Sequence, residues 1–231
     1  MTPDFSAFEK SAGVDFKNKK LLAEAFTHRS YLNENPSPEL RHNERLEFLG
    51  DAVLELAVTE VLFKKFPASA EGELTSLRAA LVNAVMLSEI AGGLDFNSYL
   101  LLSRGEAKDL GRARQFILAN AFEALVGALY LDRGYGAAKV FIEKCVLSHL
   151  DEVLTKKLFR DAKSLFQEKA QEQAGVTPTY EVLKEWGPDH DKHFVVGAYL
   201  GKELVGEGEG PSKQEAQQNA AERALKLRGW D

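Results

Sequence analysis

The sequence predicts a multi-domain chain: an all-α first domain followed by a smaller α+β domain in the order α-β-β-β-α. Three observations lead there. Over residues 5–154, apolar residues recur at spacings of three and four, the period of one helix face. Beyond the polar run TKKLFRD the pattern changes to one helix, three alternating stretches and a last helix. A length of 231 residues suits one or two domains of about 100–200 residues each.

Within the first domain, 1–154, helical patterns run over Lys20 to Phe26, Asn43 to Phe66, Glu73 to Gly92, Arg114 to Tyr130 and Gly136 to Leu154. Pro36, Pro38 and Pro67 mark connections, and Gly92-Gly93 closes a helix before the short segment Leu94 to Leu102. Residues 155–160 read as a linker, and the second domain spans 161–229. There Asp161 caps a helix that ends near Gly175. Thr179 to Trp186, His193 to Leu200 and Glu203 to Glu207 alternate as strands, the last two joined by a tight turn at Gly201-Lys202. After Pro211, Ser212 and Glu215 form an S-x-x-E capping box that fixes the last helix and turns its first N–H groups toward a possible anion.

Composition is that of an ordinary globular protein, 45% hydrophobic and 28% charged, and a net charge of −6 gives no global sign of a polyanionic partner. Any nucleic-acid site must be local. The start MTPDFSAFEK lacks the basic and apolar regions of a secretory signal. The most apolar stretch, Phe116 to Leu131, is interrupted by Asn120 and Glu123, whereas a membrane span needs about 20 mostly apolar residues. A soluble, cytoplasmic protein without a membrane partner is expected. The single cysteine, Cys145, allows no intrachain disulfide and reads as a core residue.

The chemistry concentrates in HNERLEFLGD, residues 42–51. Glu44, Glu47 and Asp51 recur at three and four, so on a helix they project within about 60° of one another while Leu46, Phe48 and Leu49 turn toward packing partners. In ILANAFEALVGALYLD a second polar pair, Asn120 and Glu123, stands three apart on another apolar helix. Carboxylates brought together raise one another's pKa or demand a cation, and an oxygen-rich set suits Mg²⁺ or Mn²⁺. Such a metal can activate water and polarise a phosphodiester. Spacing alone fits a solvated acidic face on an amphipathic helix better than a metal site; the longer pattern reverses that preference.

The longer string HNERLEFLGDAVLELAV resembles the signature of the ribonuclease III family, and the resemblance continues through LTSLRAALVN, SRGE and ILANAFEALVGALYLD. It covers essentially the whole chain. The resemblance implies that Glu47, Asp51 and Glu123 are metal-binding carboxylates, with Asp51 and Glu123 the catalytic pair. Asn120 falls where most relatives have aspartate; its amide offers a carbonyl oxygen without charge, which leaves open a ligand that still binds or a substitution that disables cleavage. Glu44 and Glu71 match further acids near the family's site, either beside the metal and substrate or as solvated salt-bridging groups. THRSYLNEN, 27–35, matches another family block, with His28 structural. The family acts as a homodimer, and Phe48 matches an aromatic at its subunit interface, a core Phe being the alternative.

The tail resembles a double-stranded RNA-binding domain. Gln167 and Glu168 match first-helix positions that face the minor groove, where 2′-hydroxyls distinguish RNA from DNA, and His190 matches the loop residue of the next groove. Lys213 and Gln217 match the phosphate-facing start of the last helix. With 10 Lys/Arg against 13 Asp/Glu from Arg160 onward, this domain is less basic than its relatives, so attraction to RNA should be modest and salt-sensitive. Upstream, Arg104, Lys108, Arg112 and Arg114 form a basic segment that fits either substrate phosphates or a charged surface loop. The resemblance as a whole implies a Mg²⁺-dependent endonuclease (Mn²⁺ as substitute) that cuts double-stranded RNA to 5′-phosphate and 3′-hydroxyl ends with a short 3′ overhang. Its implied substrates are ribosomal RNA precursors, with some messenger and transfer RNAs. A duplex binder that does not cut is the alternative.

Overall fold

In the computed structural model, residues 4–108, 111–156, 162–188 and 192–230 are described. The chain divides into two compact units, residues 1–159 and 160–231. The first is helical: α1 Ser6–Ala12, α2 Lys19–Ala25, α3 Arg29–Glu34, α4 Glu44–Lys65, α5 Glu71–Val82, α6 Ala84–Gly93, α7 Arg112–Arg133, α8 Tyr135–Cys145 and α9 Leu150–Thr155. Short 3₁₀ turns at Phe96–Ser98, Glu106–Lys108 and Leu147–His149 connect some of them.

The two longest helices, α4 and α7, form the centre, and Leu54, Val58, Phe122, Leu125 and Val126 are wholly buried there. Around them Phe8, Phe26, Phe96, Phe122 and Phe141 pack ring to ring at centroid distances of 4.8–6.2 Å. Polar groups then fix the helices along their length. The Asp132 carboxylate at the end of α7 accepts from the backbone N–H groups of Lys17 and Asn18 just before α2, at 2.7 and 2.9 Å. Glu60 on α4 accepts from Tyr135 and Lys139 of α8 at 2.8 and 2.9 Å. Cys145 is buried, as expected, and burial pushes its thiol pKa up.

Two of the expected helices break. Glu73 to Gly92 reads as one periodic stretch, but at Asn83 the backbone extends (φ −73°, ψ 160°) and the Asn83 side chain accepts from Met86 N–H, starting α6. A capping amide outcompetes continuation because its local hydrogen bond replaces a helical one. Gly136 to Leu154 likewise divides after Cys145, where a 3₁₀ turn leads into α9. No single described helix is long and apolar enough to cross a membrane.

The second unit contains α10 Ala162–Ala174, β1 Thr179–Trp186, β2 His193–Leu200, β3 Glu203–Gly210 and α11 Lys213–Arg228. The strands form an antiparallel sheet in the order β1-β2-β3. Gly201, at φ +62°, makes the β2–β3 turn. β3 runs three residues beyond the expected Glu207 and stays paired with β2 to Gly210. Its alternate glycines hid the strand pattern, and their reason is tertiary: a Cβ at Gly206, Gly208 or Gly210 would overlap α11 near Ala224, Ala220 and Ala216. The expected cap on α10, Asp161, lies outside the described residues, whereas Ser212 caps α11 by accepting from Glu215 N–H at 3.2 Å.

Candidate active site and RNA interface

The acid-bearing turns of α4 and α7 come together because both helices carry a glycine where they cross. A Cβ on Gly50 would overlap the carbonyl oxygen of Glu123, and one on Gly127 that of Leu46, so the backbones touch. Gly50 lies between Glu47 and Asp51, and Gly127 lies one turn beyond Glu123. The start of α4 is also pinned: Asn43 is buried, its side chain donates to the carbonyl of Ala25 at 3.1 Å, and its N–H donates to Thr27.

Glu47, Asp51 and Glu123 lie within one another's electrostatic reach. Burial, then the charges of Asp51 and Glu47, push the Glu123 carboxyl up to about 7. Glu47 is raised by burial and by Glu44 and Asp51, while a hydrogen bond from the Asn120 amide pulls it back. No basic group contributes to either shift. As they stand, no three Asp, Glu, His or Cys side chains among the described residues are grouped closely enough to ligate one ion. The donor set nevertheless suits a divalent cation in chemistry: it offers only oxygen ligands, and the charged forms of Glu47 and Glu123 are disfavoured by burial and by the neighbouring acids.

Glu44 and Glu71 stand apart from this group in different ways. Glu44 opens α4 and pairs with Arg29 at 3.2 Å and His42 at 3.6 Å, yet its charge still reaches Glu47. Glu71 opens α5, is exposed, accepts from Thr75 at 3.0 Å, and is not among the charges that raise Glu47 or Glu123. His28 caps α3: its Nδ1 lies 2.8 Å from the Ser30 hydroxyl and accepts from Ser30 N–H, and burial lowers its pKa.

Phe48 is 83% exposed, which excludes a core role within one chain. It borders an open cleft with Leu21, Arg41, Leu46, Leu49 and Leu131. The basic segment divides. Arg104 is exposed and its N–H binds the Glu34 carboxylate, whereas Arg114 is buried, contrary to a loop exposed throughout.

In the second unit, Gln167 and Glu168 are exposed on α10 and line a shallow cleft with Ser164, Gln171 and Glu172. Gln217 on α11 accepts from Lys163 of α10 at 2.7 Å, and Lys213 Nζ lies 5.6 Å from the Phe194 ring centre. His190 lies outside the described residues. Sequence reasoning passed over Gly50, Gly127 and Asn43; the available signal was glycine inside a helix, which costs about 1 kcal/mol unless close packing requires it.

A helical domain that converges acids from two crossed helices, followed by an α-β-β-β-α domain, defines the class of a nuclease acting on duplex RNA. A profile described as "Ribonuclease-III-like" matches residues 18–150 and one described as "Double-stranded RNA binding motif" matches 162–227. The chain is 46% identical over 220 residues to "Ribonuclease 3" of a Nitratiruptor species, with 95% of each chain covered. It is 47% identical over 214 residues to "Ribonuclease 3" of Enterococcus faecalis, with 93% of each covered. The solved nuclease domain of the Campylobacter jejuni enzyme, whose description mentions a region involved in dimer formation, is 42% identical with a TM-score of 0.55, covering 62% of this chain and 98% of that one. The chain belongs to the ribonuclease III family and is a double-stranded RNA endonuclease.

Proposed function

We propose that the chain hydrolyses duplex RNA at a site built from Glu47, Asp51, Asn120 and Glu123, leaving 5′-phosphate and 3′-hydroxyl ends with a short 3′ overhang. The observation that supports this is the raised pKa of Glu47 and Glu123, each under the charge of Asp51, on two helices in backbone contact. Mg²⁺, or Mn²⁺ in its place, would be held by these four residues. When bound it supplies Lewis-acid polarisation of the phosphoryl group and a more acidic attacking water.

The protein's own groups do the rest. Asp51, on the exposed side of α4, orients the attacking water through its carboxylate oxygens. Glu123, whose carboxyl is pushed up to about 7 by burial and the neighbouring charges without a cation, would give up its proton as it takes hold of the metal. The Asn120 amide steadies the Glu47 carboxylate in its orientation. Glu44 and Glu71 serve substrate or metal from outside this group. Residues 1–154 act as the nuclease domain, 155–160 as linker, and 161–229 grip the duplex through Gln167, Glu168, His190, Lys213 and Gln217. The active form is a cytoplasmic homodimer joined at Phe48, each subunit cutting one strand, and its substrates are ribosomal RNA precursors with some messenger and transfer RNAs.

The test is incubation of the purified chain with a long RNA duplex and either Mg²⁺ or Mn²⁺. Staggered cleavage with 5′-phosphate ends is expected. Retention of the duplex without cutting under both metals would mean that Asn120 has turned a nuclease into a binder.

A further inference from the structure

The sheet of the second unit has a helix-covered face and a bare one. On the covered face Phe194, Val196 and Ala198 of β2 are buried, and the β3 glycines abut α11. Side chains alternate along a strand, so Val195, Gly197 and Tyr199 belong to the other face.

Around Gly197 that bare face is apolar. A Cβ there would lie 2.8–3.2 Å from side-chain atoms of Leu204, Tyr199 and Leu183, so one side chain from each strand leans over the glycine. Leu183 and Leu204 are nonetheless 38% and 42% exposed. Trp186, stacked on His193 with ring centres 5.6 Å apart, extends the patch and is 45% exposed. Single exposed apolar side chains need no explanation, whereas a group converging across a sheet marks a site of association.

Charge frames the patch and selects its partner. The register sets Glu181 and Glu207 on either side of Gly197, and Glu209 beside Val195. All three acids are exposed and none is ion-paired among the described residues; the sheet's ion pairs, Lys192 with Glu185 and Arg228 with Glu203, use other carboxylates. Against them stands Lys184, opposite Val195. RNA phosphates would meet carboxylates here, and a second copy of the face would bring the same acids against themselves.

We infer that this face docks a basic, leucine-bearing segment of another protein, its apolar side chain on Leu183, Tyr199 and Leu204 and its cations on Glu181 and Glu207. Strands about 4.8 Å apart put the Cα atoms of those two acids about 10 Å apart, and basic residues four positions apart in an extended segment span about 13 Å, within reach of their flexible arms. The residues proposed to hold the duplex, Gln167, Glu168, Lys213 and Gln217, lie on α10 and α11. The segment therefore binds without displacing RNA, and its docking stands whether or not those four residues grip the duplex.

The probe is the end-capped peptide Lys-Ser-Leu-Ser-Lys, titrated into the ¹⁵N-labelled full-length chain while backbone amide shifts are followed. Shifts centred on Leu183, Gly197, Tyr199 and Leu204 are expected, and the same peptide with Glu in place of Lys should produce none. Glu181→Lys combined with Glu207→Lys should weaken binding roughly tenfold, because two attractive exposed pairs become repulsive. Leu204→Ser should weaken it severalfold and leave affinity for an RNA duplex at the wild-type value. Unshifted β2 amides at millimolar peptide, or shifts centred instead on the acids of α4 and α7, overturn the inference. So does a titration that both variants leave unchanged, which is mere attraction of a cation to an acidic chain. Loss of duplex affinity in Leu204→Ser would assign the face to RNA, and shifts of the same amides on dilution without peptide would assign it to a second copy; either result rejects the docked segment.

Discussion

Asn120 is the residue at which charge balance in the site is decided. An aspartate there would add a fourth negative oxygen pair beside Glu47 and Glu123 in place of an amide that donates to Glu47. Asn120→Asp is therefore expected to lower the Mg²⁺ concentration for half-maximal cleavage by roughly tenfold, as ligand-shell changes typically do, read from a metal titration on a duplex substrate. Glu123 makes a pH prediction. Folding raises its carboxyl from the ordinary 4.5 to about 7, so the folded chain favours the protonated form. Its contribution to stability is present below about pH 4.5 and is lost as pH rises through about 7. Glu47 shifts in the same direction, and His28, lowered by burial, in the opposite one. The useful readout is thus the difference between wild type and Glu123→Gln. In EDTA the variant should gain Tm relative to wild type from about pH 5 to about pH 8, and added Mg²⁺ should narrow that gap at the alkaline end. A constant difference across the range would contradict the shared acidic field.

At the scale of elements, the crossing of α4 and α7 both holds the fold and aligns the acids. Gly127→Ala puts a methyl group into the Leu46 carbonyl and must separate the helices. Overpacking of this kind costs about 1–3 kcal/mol, and cleavage should fall by more than the fraction unfolded explains, because Glu123 moves relative to Asp51. Gly136, in α8, is the control, since a Cβ there meets nothing within 4 Å. Gly136→Ala should leave cleavage unchanged and add about 0.4–1 kcal/mol through the unfolded chain. Urea unfolding and initial cleavage rates on the two variants separate these effects. The break between α5 and α6 follows the same logic, local hydrogen bonding at Asn83 overriding an uninterrupted apolar period.

For the whole molecule, exposure of Phe48 beside an open cleft accords with a second copy as its cover. Phe48→Asp is expected to move the protein from dimer to monomer in sedimentation velocity and to reduce cleavage of long duplexes, while the isolated chain keeps its helical content. A dimer retained at micromolar concentration would remove Phe48 from the interface. The second unit matches a double-stranded RNA binding motif, and its few basic residues predict modest affinity with a salt slope set by the small number of phosphates they neutralise.

The helical and α-β-β-β-α halves are legible in the order of the amino acids, because periods of three-and-four and of two depend only on local geometry, and the motif strings carry the family. That order also supplies the acids, whose spacing places Glu44, Glu47 and Asp51 on one helical face. That Glu47 and Asp51 act on Glu123, 72 residues of chain beyond Asp51, while Glu71 does not, follows from helix packing alone. Tertiary packing likewise exposed Phe48, buried Arg114 and gave the glycines of α4, α7 and β3 their purpose. Those outcomes depend on which backbones touch, and a glycine in the sequence marks such a contact without naming its partner.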